Sequence, residues 1–457
     1  MMGCRVCSLS TVMGITIVQK SDLSRPRPDA KRALVLAGGA VSGGAFKVGG
    51  LMALNRYLTN CSVTDFDIYL GISAGAFLAA PLSGGFTPEE LYDALHGRSE
   101  RLDRFRSLDF YLPNWREFAT RPSRLFRDVA GGAPWMMFRV ALNMPKYHQE
   151  LRKRARAFTY EPCMETAEAL VEPLVREVSL QSRGRFGGYV PSGLFDNKRI
   201  ERYVRRNMER NGLPNNFRQM KLLTGKSLYI GATNLNTAQG VVFGHDEDGS
   251  VSISKAVQAS SAIPGFFKPA RIGPEGREQD YCDAAVRKTA NISTAVKHGA
   301  SLVVCYNPFR PFVNYRHRGI GEKHRSIADL GFYAILNQAF RTLLHSRLRL
   351  GIQKLQMSPD FHGDVILIEP AETDAQFFAM NPLAFWKLQE AAEHGFESVK
   401  NSLAQHHLTL GKILSAYGID VDLQGLDTGI EDRDSDPSNT QSARYAERQR
   451  HLRVVSG

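Results

Sequence analysis

Two short segments near the start of the chain share one pattern: an apolar run, a glycine-rich turn and the start of a helix. The first is residues 34–45, LVLAGGAVSGGA, and the second is residues 69–76, YLGISAGA. A Gly-x-Ser-x-Gly turn places the Ser73 hydroxyl at the tip of a sharp bend between a strand and a helix. A glycine-rich turn in front of a helix presents backbone N–H groups to negative charge. Together the two segments indicate acyl transfer through an oxyanion.

The same alternation of strands and helices continues along the chain. We predict an α/β fold, a three-layer α/β/α sandwich with a mostly parallel central sheet. Beyond the first two strands, the candidate strands are residues 227–232, 240–243, 301–306 and 364–369, and the candidate long helices are residues 326–357 and 382–403.

Composition divides the chain into segments. Pro26 and Pro28 disfavour regular structure near the start. Near the end, the chain becomes polar and charged, with few large apolar residues, which is typical of disorder. The expected segments are a loose leader (1–32), a catalytic domain (33–310), a helical completion of that domain (311–424) and a disordered tail (425–457).

Residues 96–215 interrupt the α/β pattern and are predicted to form an insertion beside the site. Between Arg98 and Arg156 there are fourteen Lys or Arg residues against six Asp or Glu residues, together with Trp115 and Trp135. Basic side chains attract anionic headgroups, and aromatic side chains favour the membrane interface. The segment is therefore either a solvated surface with aromatic side chains packed inward or a lid that contacts an anionic membrane.

The overall composition limits the partners and the compartment. The chain has 457 residues and a net charge of +12, but no nucleic-acid recognition motif accompanies that charge. It has no run of about eighteen apolar residues. Six cysteines are too few for a disulfide scaffold. We expect a cytoplasmic protein, with peripheral membrane contact possible and secretion not excluded, that binds no nucleic acid. The sequence leaves its protein partners unknown.

A serine nucleophile needs a base, and the residues alone leave two kinds of candidate. A histidine would complete the common triad, and His298 is the one that follows a late predicted element. An aspartate is the other choice, and Asp283 lies between two predicted elements. Taken alone, each residue fits a structural role better, His298 at the end of a helix and Asp283 in a turn.

Four segments together resemble the patatin-like phospholipases, in particular their bacterial members. Residues 38–44 are similar to the oxyanion loop of that family, and residues 71–75 match its nucleophile turn. Residues 254–267 are close to the stretch that precedes the family's catalytic aspartate, and residues 283–285 occupy its Asp-Gly-Gly/Ala position. The order and spacing of these segments agree with the family from about residue 33 to residue 310.

The resemblance implies a Ser–Asp dyad without histidine. Carried over by position, Ser73 is the nucleophile, in a turn framed by Gly71 and Gly75, and Asp283 is its base. The backbone N–H groups of Gly38, Gly39 and Ala40 would hold the oxyanion. The implied substrates are phospholipids or lysophospholipids, cleaved at their fatty-acyl esters, and the implied chemistry uses no cofactor and no metal.

Three positions depart from the family pattern. Ala40 replaces the third glycine of the loop, and an alanine there is strained if the position needs a positive φ. Gly43 stands where the family usually has an arginine or lysine, so we expect a positive charge to be missing near the loop. Ala284 follows Asp283 where a glycine is usual.

Two other functions stay open. Ala40 and Gly43 leave room for a non-catalytic membrane-binding or regulatory module on a patatin-like scaffold. A histidine-dependent esterase would require a late histidine such as His298. A phosphate-binding loop is disfavoured, because Gly39 and Gly44 have its spacing but Ala45 and Phe46 follow instead of Lys and Ser/Thr.

Overall fold

A computed structural model describes residues 14–121, 152–153, 191–314, 326–427 and 429–430. The chain divides into two compact units. The larger unit contains residues 1–112, 197–264 and 269–457, and the smaller contains residues 113–196 and 265–268.

The described residues contain eleven strands. In chain order they are β1 (Ile15–Gln19), β2 (Arg32–Leu36), β3 (Ile68–Gly71), β4 (Gly193–Phe195), β5 (Ser227–Asn234), β6 (Gly240–Gly244), β7 (Gly265–Phe267), β8 (Ala270–Ile272), β9 (Gln279–Asp283), β10 (Leu302–Tyr306) and β11 (Asp364–Ile368).

Nine of these strands form the sheet of the larger unit. Its path runs β1-β11-β10-β2-β3-β5-β9-β8, and β6 pairs with β5 beside that path. The stretch from β11 to β5 is parallel, whereas β1, β6, β8 and β9 pair in antiparallel fashion. The carboxyl ends of β10, β2 and β3 therefore meet at one edge of the sheet.

The helices of the larger unit cover this sheet. In chain order they are α1 (Ala40–Tyr57), α2 (Ala74–Ser83), α3 (Pro88–His96), α4 (Ser107–Phe110), α5 (Lys198–Arg210), α6 (Phe217–Thr224), α7 (Ile253–Ser260), α8 (Ile292–Lys297), α9 (Phe332–Met357), α10 (Ala375–Ala379) and α11 (Leu388–Ala416). No helix among the described residues is both long enough and apolar enough to cross a membrane.

Alternate residues of the central strands face opposite helical layers, as the two-residue repeat of a strand requires. Val35 of β2 and Val303 of β10 share a core cluster with Ala295 of α8 and with residues of α9. On the other face, Tyr306 of β10 lies against Phe46 of α1, with ring centroids 6.1 Å apart. The predicted three-layer α/β/α architecture is confirmed.

The smaller unit is built around a short parallel pair of strands, β4 and β7. The Asn114 side chain donates a hydrogen bond of 3.1 Å to the carbonyl oxygen of Gly193. An ion pair of 3.0 Å joins Lys268 to Asp196. Most of the predicted insertion, residues 122–151 and 154–190, lies outside the described residues.

Two sequence predictions about the ends of elements were wrong. Ile15–Gln19 belongs to the predicted leader but forms β1, because Ile15 and Val18 are buried and the strand pairs with β11. Residues 42–44 belong to the predicted glycine-rich loop but lie inside α1, which begins at Ala40. Of the predicted tail, residues 431–457 lie outside the described residues.

Candidate active site

The turn between β3 and α2 holds Ser73 in a strained conformation. Its φ of 54° and ψ of −126° are rarely adopted by any residue other than glycine. A Cβ on Gly71 would lie 2.4 Å from Ala76 Cα, and one on Gly75 would lie 2.1 Å from the Leu36 carbonyl oxygen. Only glycine fits on either side of this serine, which explains the Gly-x-Ser-x-Gly spacing.

A second serine fixes the backbone of the turn. The N–H of Ser73 donates a hydrogen bond of 2.8 Å to Oγ of Ser260, at the end of α7. Ser260 is fully buried, and Ser73 is only 4% exposed. The bend and this hydrogen bond together hold the backbone of Ser73 in one place.

Asp283 is the last residue of β9 and lies beside Ser73. Its N–H donates to the Ala262 carbonyl at 2.9 Å, and its Oδ1 accepts a hydrogen bond of 2.8 Å from the Ala285 N–H. Burial raises the pKa of this carboxyl to about 6, although hydrogen bonding from the Ser73 hydroxyl and from Ala285, and the charge of Lys47, lower it. A carboxylate with such a pKa is a stronger base than an ordinary aspartate and is still mostly ionised at pH 7.

The glycine loop presents unpaired donors beside Ser73. Within the described residues, the N–H groups of Gly38, Gly39 and Ala40 have no hydrogen-bond acceptor. The next two N–H groups, those of Val41 and Ser42, both donate to the Pro382 carbonyl, at 2.9 and 3.0 Å. The loop therefore offers the same three donors that the sequence analysis selected.

Ala40 has the backbone conformation that the sequence analysis identified as strained. Its φ is 51°, in the left-handed region where a Cβ is disfavoured. The strain falls on the first residue of α1, next to the free N–H groups.

Lys47 is the residue that sequence reasoning missed. It is fully buried, and its Nζ donates hydrogen bonds to the carbonyl oxygens of Ala37 and Gly38, the second at 3.0 Å. Because a trans peptide unit points its C=O and N–H in opposite directions, these two bonds turn the N–H groups of Gly38 and Gly39 away from the lysine.

The expectation of a missing charge near the loop was wrong. Gly43 carries no side chain, but Lys47 lies one helical turn later on α1. Its ammonium group donates a hydrogen bond to the Gly38 carbonyl of the loop. Burial lowers the pKa of Lys47 to about 7, although the negative charge of Asp283 acts in the opposite direction and raises that pKa. A helical lysine whose partners are backbone carbonyls leaves no recognisable spacing in a sequence.

An apolar cavity opens at Ser73. Its wall includes Val41, Phe77, Phe110 and Ile263. A second apolar cavity shares Phe77, Leu78 and Leu95 with the first. Ser73 thus lies at the edge of an apolar space.

The family model described as "Patatin-like phospholipase" matches residues 34–296, more than half of the chain. The chain belongs to the patatin-like phospholipase family. The match spans both glycine-rich turns and Asp283, and it agrees with the resemblance seen in the sequence. The family supports lipid hydrolase activity in general.

Comparison with solved structures gives only distant matches. VipD from Legionella pneumophila is 15% identical, with 88% of this chain and 72% of that chain covered and a TM-score of 0.34. ExoU from Pseudomonas aeruginosa, in complex with SpcU, is 16% identical over 90% and 69%, with a TM-score of 0.26. Human GIVD cytosolic phospholipase A2 is 12% identical over 89% and 61%, with a TM-score of 0.31. No curated protein matches the chain.

His298, the alternative base, has partners other than Ser73 and Asp283. Its ring stacks on Tyr229 at 4.3 Å, and its two nitrogens lie 3.3 Å from Asp246 and 3.0 Å from Glu247. These partners give the histidine a structural role beside the C-terminal end of α8. Among the described residues, no cluster of three or more histidine, cysteine or acidic side chains could hold a metal ion.

Proposed function

We propose that this protein is a serine lipid acyl hydrolase that cleaves fatty-acyl esters of phospholipids or lysophospholipids. The observation that carries the proposal is the convergence of Ser73 and Asp283, both nearly fully buried, beside three free N–H groups. These residues come from segments far apart in the sequence, and the family match covers all of them.

The first half of the proposed reaction forms an acyl-enzyme. Asp283 takes the proton of the Ser73 hydroxyl while Oγ attacks the ester carbonyl carbon. The carbonyl oxygen becomes an oxyanion that accepts hydrogen bonds from the N–H groups of Gly38, Gly39 and Ala40. When the intermediate collapses, the C–O bond breaks and Asp283 returns its proton to the departing alcohol.

The second half releases the fatty acid. Asp283 takes a proton from a water molecule, whose oxygen attacks the acyl carbon. The same three N–H groups hold the second oxyanion, and collapse breaks the bond to Ser73 Oγ. The proton on Asp283 then returns to the serine, so both residues end as they began.

The apolar cavity supports a lipid substrate over a small polar ester. Phe77, Phe110 and Ile263 would enclose the acyl chain, and the adjoining cavity beyond Leu78 and Leu95 gives room for a longer chain. Burying each methylene contributes about 0.8 kcal/mol, so the cavity favours chains that reach its apolar wall.

A non-catalytic module on the same scaffold remains the second candidate, and the positive φ of Ala40 is the observation that favours it. Strain at one alanine amounts to about 1–2 kcal/mol. That amount can distort the oxyanion donors without unfolding the protein.

Fatty-acid release from a panel of phospholipids, lysophospholipids and short-chain esters separates the candidates. We expect the wild type to hydrolyse lipids and Ser73→Ala and Asp283→Asn each to lose about a thousandfold or more in kcat. Matched controls are Ser83→Ala, a buried serine on α2, and Asp280→Asn, which precedes Asp283 on β9. Both controls should retain activity.

Two results contradict the proposal. Full activity of Asp283→Asn would remove the dyad assignment. A wild type that folds but hydrolyses no member of the panel would favour the non-catalytic module.

A further inference from the structure

Helix α9 carries an exposed stripe of side chains along one line. Positions that alternate in steps of four and three residues lie on one face of a helix. The apolar members of this exposed stripe are between 40% and 84% exposed; they are Leu336, Phe340, Leu343, Leu350 and Met357. The buried residues Leu344, Leu348 and Ile352 form a separate line on the same helix.

The exposed stripe also contains two cations. Arg347 and Lys354 occupy the remaining positions of the same four-and-three repeat, and both are exposed. The whole of α9, Phe332–Met357, contains no aspartate or glutamate. A stripe of large apolar side chains with cations and no carboxylates is typical of helices that lie in the interface of anionic membranes.

The stripe passes close to the residues of the site. The Arg347 guanidinium donates hydrogen bonds of 2.7 Å to the Val286 carbonyl and 3.3 Å to the Ala285 carbonyl. The N–H of Ala285 is the one that donates to Asp283. The middle of the stripe therefore contacts the turn that follows the proposed base.

The first half of α9 lies at the edge of the sheet where Ser73 is found. Arg341 donates to the carbonyl oxygens of Pro308 and Arg310, both at 3.2 Å. These residues follow the carboxyl end of β10, which runs parallel to β2 and to β3, the strand that precedes Ser73. The exposed apolar side chains thus begin on the substrate side of the sheet.

The charge of the stripe argues against a second copy of this chain as its occupant. Pairing two α9 helices through the stripe would bury Arg347 and Lys354 in the seam, and α9 offers no carboxylate to neutralise them. Like charges in a helix seam destabilise pairing. An anionic surface, in contrast, satisfies the cations and the apolar side chains together.

We propose that the exposed stripe of α9 docks the protein on an anionic lipid surface. The apolar side chains enter the interface, and Arg347 and Lys354 lie at the level of the headgroups. The purpose of this docking, delivery of lipid to Ser73, rests on the proposed function, but the docking itself does not.

Vesicle flotation of Ser73→Ala protein tests the docking without hydrolysis of the vesicles. We expect binding to vesicles of phosphatidylcholine with about 30% phosphatidylglycerol, weaker binding to pure phosphatidylcholine, and weaker binding at 0.5 M salt than at 0.1 M salt. Adding Leu343→Glu and Leu350→Glu should lower the partition coefficient at least about tenfold.

The matched control replaces two still more exposed leucines outside α9. Leu222→Glu and Leu408→Glu make the same chemical change on α6 and α11, where the leucines are at least 80% exposed. These substitutions should leave flotation unchanged. Hydrolysis of a water-dispersed short ester, measured in the Ser73-containing protein, should be the same for both pairs of substitutions.

Three outcomes overturn the docking proposal. The first is flotation of the stripe variant equal to that of the control pair. The second is sedimentation that shows a dimer of the Ser73→Ala protein which the stripe substitutions dissociate, because a second copy would then cover the stripe. The third is no vesicle binding at all. If no ester is hydrolysed but flotation depends on the stripe, the proposed function fails and the docking stands.

Discussion

Asp283 should lower the stability of the folded protein whenever it is ionised. Its folded-state pKa of about 6 lies above its ordinary value of 3.8, because burial disfavours the charged form. One pKa unit corresponds to about 1.4 kcal/mol, so holding the carboxylate charged in this site costs about 3 kcal/mol. That figure already includes the favourable action of Ala285 and Lys47.

Asp283→Asn removes this cost and keeps an oxygen that can accept the Ala285 hydrogen bond. The contribution of the aspartate to stability is fully present below pH 3.8 and is lost as the pH rises through about 6. The asparagine does not titrate. The variant should therefore become more stable relative to the wild type as the pH rises from 4 to 8, by about 2–3 kcal/mol.

Urea unfolding of both proteins at pH 4 and pH 8 measures this difference. Asp280→Asn, on the same strand, provides the control, because Asp280 pairs with Arg271 at 2.9 Å and should give no such gain. A free-energy difference between Asp283→Asn and the wild type that is the same at both pH values would refute the reasoning. It would mean that the buried carboxylate is not held at a raised pKa.

Three further predictions concern residues around the proposed dyad and its cavity. Lys47→Met should lower kcat by about 10²-fold, because the N–H donors of the loop lose the lysine that orients them. In a profile of kcat/KM against pH, the acid limb lies near pH 6 in the wild type. The variant should move that limb to higher pH, because Lys47 lowers the pKa of Asp283. Ala40→Gly should retain full activity in an ester hydrolysis assay, whereas Ala40→Val, with a β-branched side chain at a φ of 51°, should destabilise the protein by about 1–3 kcal/mol in urea unfolding. Leu95→Trp should lower kcat/KM for long-chain esters, because Leu95 lines both cavities, and should leave kcat/KM for short-chain esters unchanged. The control Leu223→Trp, at an exposed position, should change kcat/KM for neither class of ester.

The parts of the site that could be predicted are those where the backbone demands a particular residue. Gly71 and Gly75 are required by contacts with Ala76 and Leu36, so the turn is visible as spacing in the sequence. For Ala40, the sequence could say only that the residue is strained if its φ is positive, because the family usually has glycine at this position of the loop.

Lys47 could not be predicted in the same way. Its partners are two backbone carbonyls, and backbone carbonyls carry no residue identity. Nothing in the helical pattern of α1 separates a lysine under the oxyanion loop from one at the surface.

The fold shows a similar limit. Strand β1 pairs with β11, which lies more than 300 residues later, and no local pattern within the first thirty-two residues indicates that partner. On α9, Leu343 and Leu344 are adjacent and identical in type, yet only Leu344 is buried. The helical repeat predicts α9 itself but leaves open which of its apolar lines enters the core.

The central claim is that Ser73 is a nucleophile activated by Asp283. A lipid-like fluorophosphonate probe forms a covalent bond only with an activated serine, and peptide mapping locates the adduct. The account predicts one adduct, on the Ser73 peptide, absent from Ser73→Ala and formed far more slowly in Asp283→Asn. A folded wild type that is not labelled, or an adduct that persists in Ser73→Ala, would contradict it.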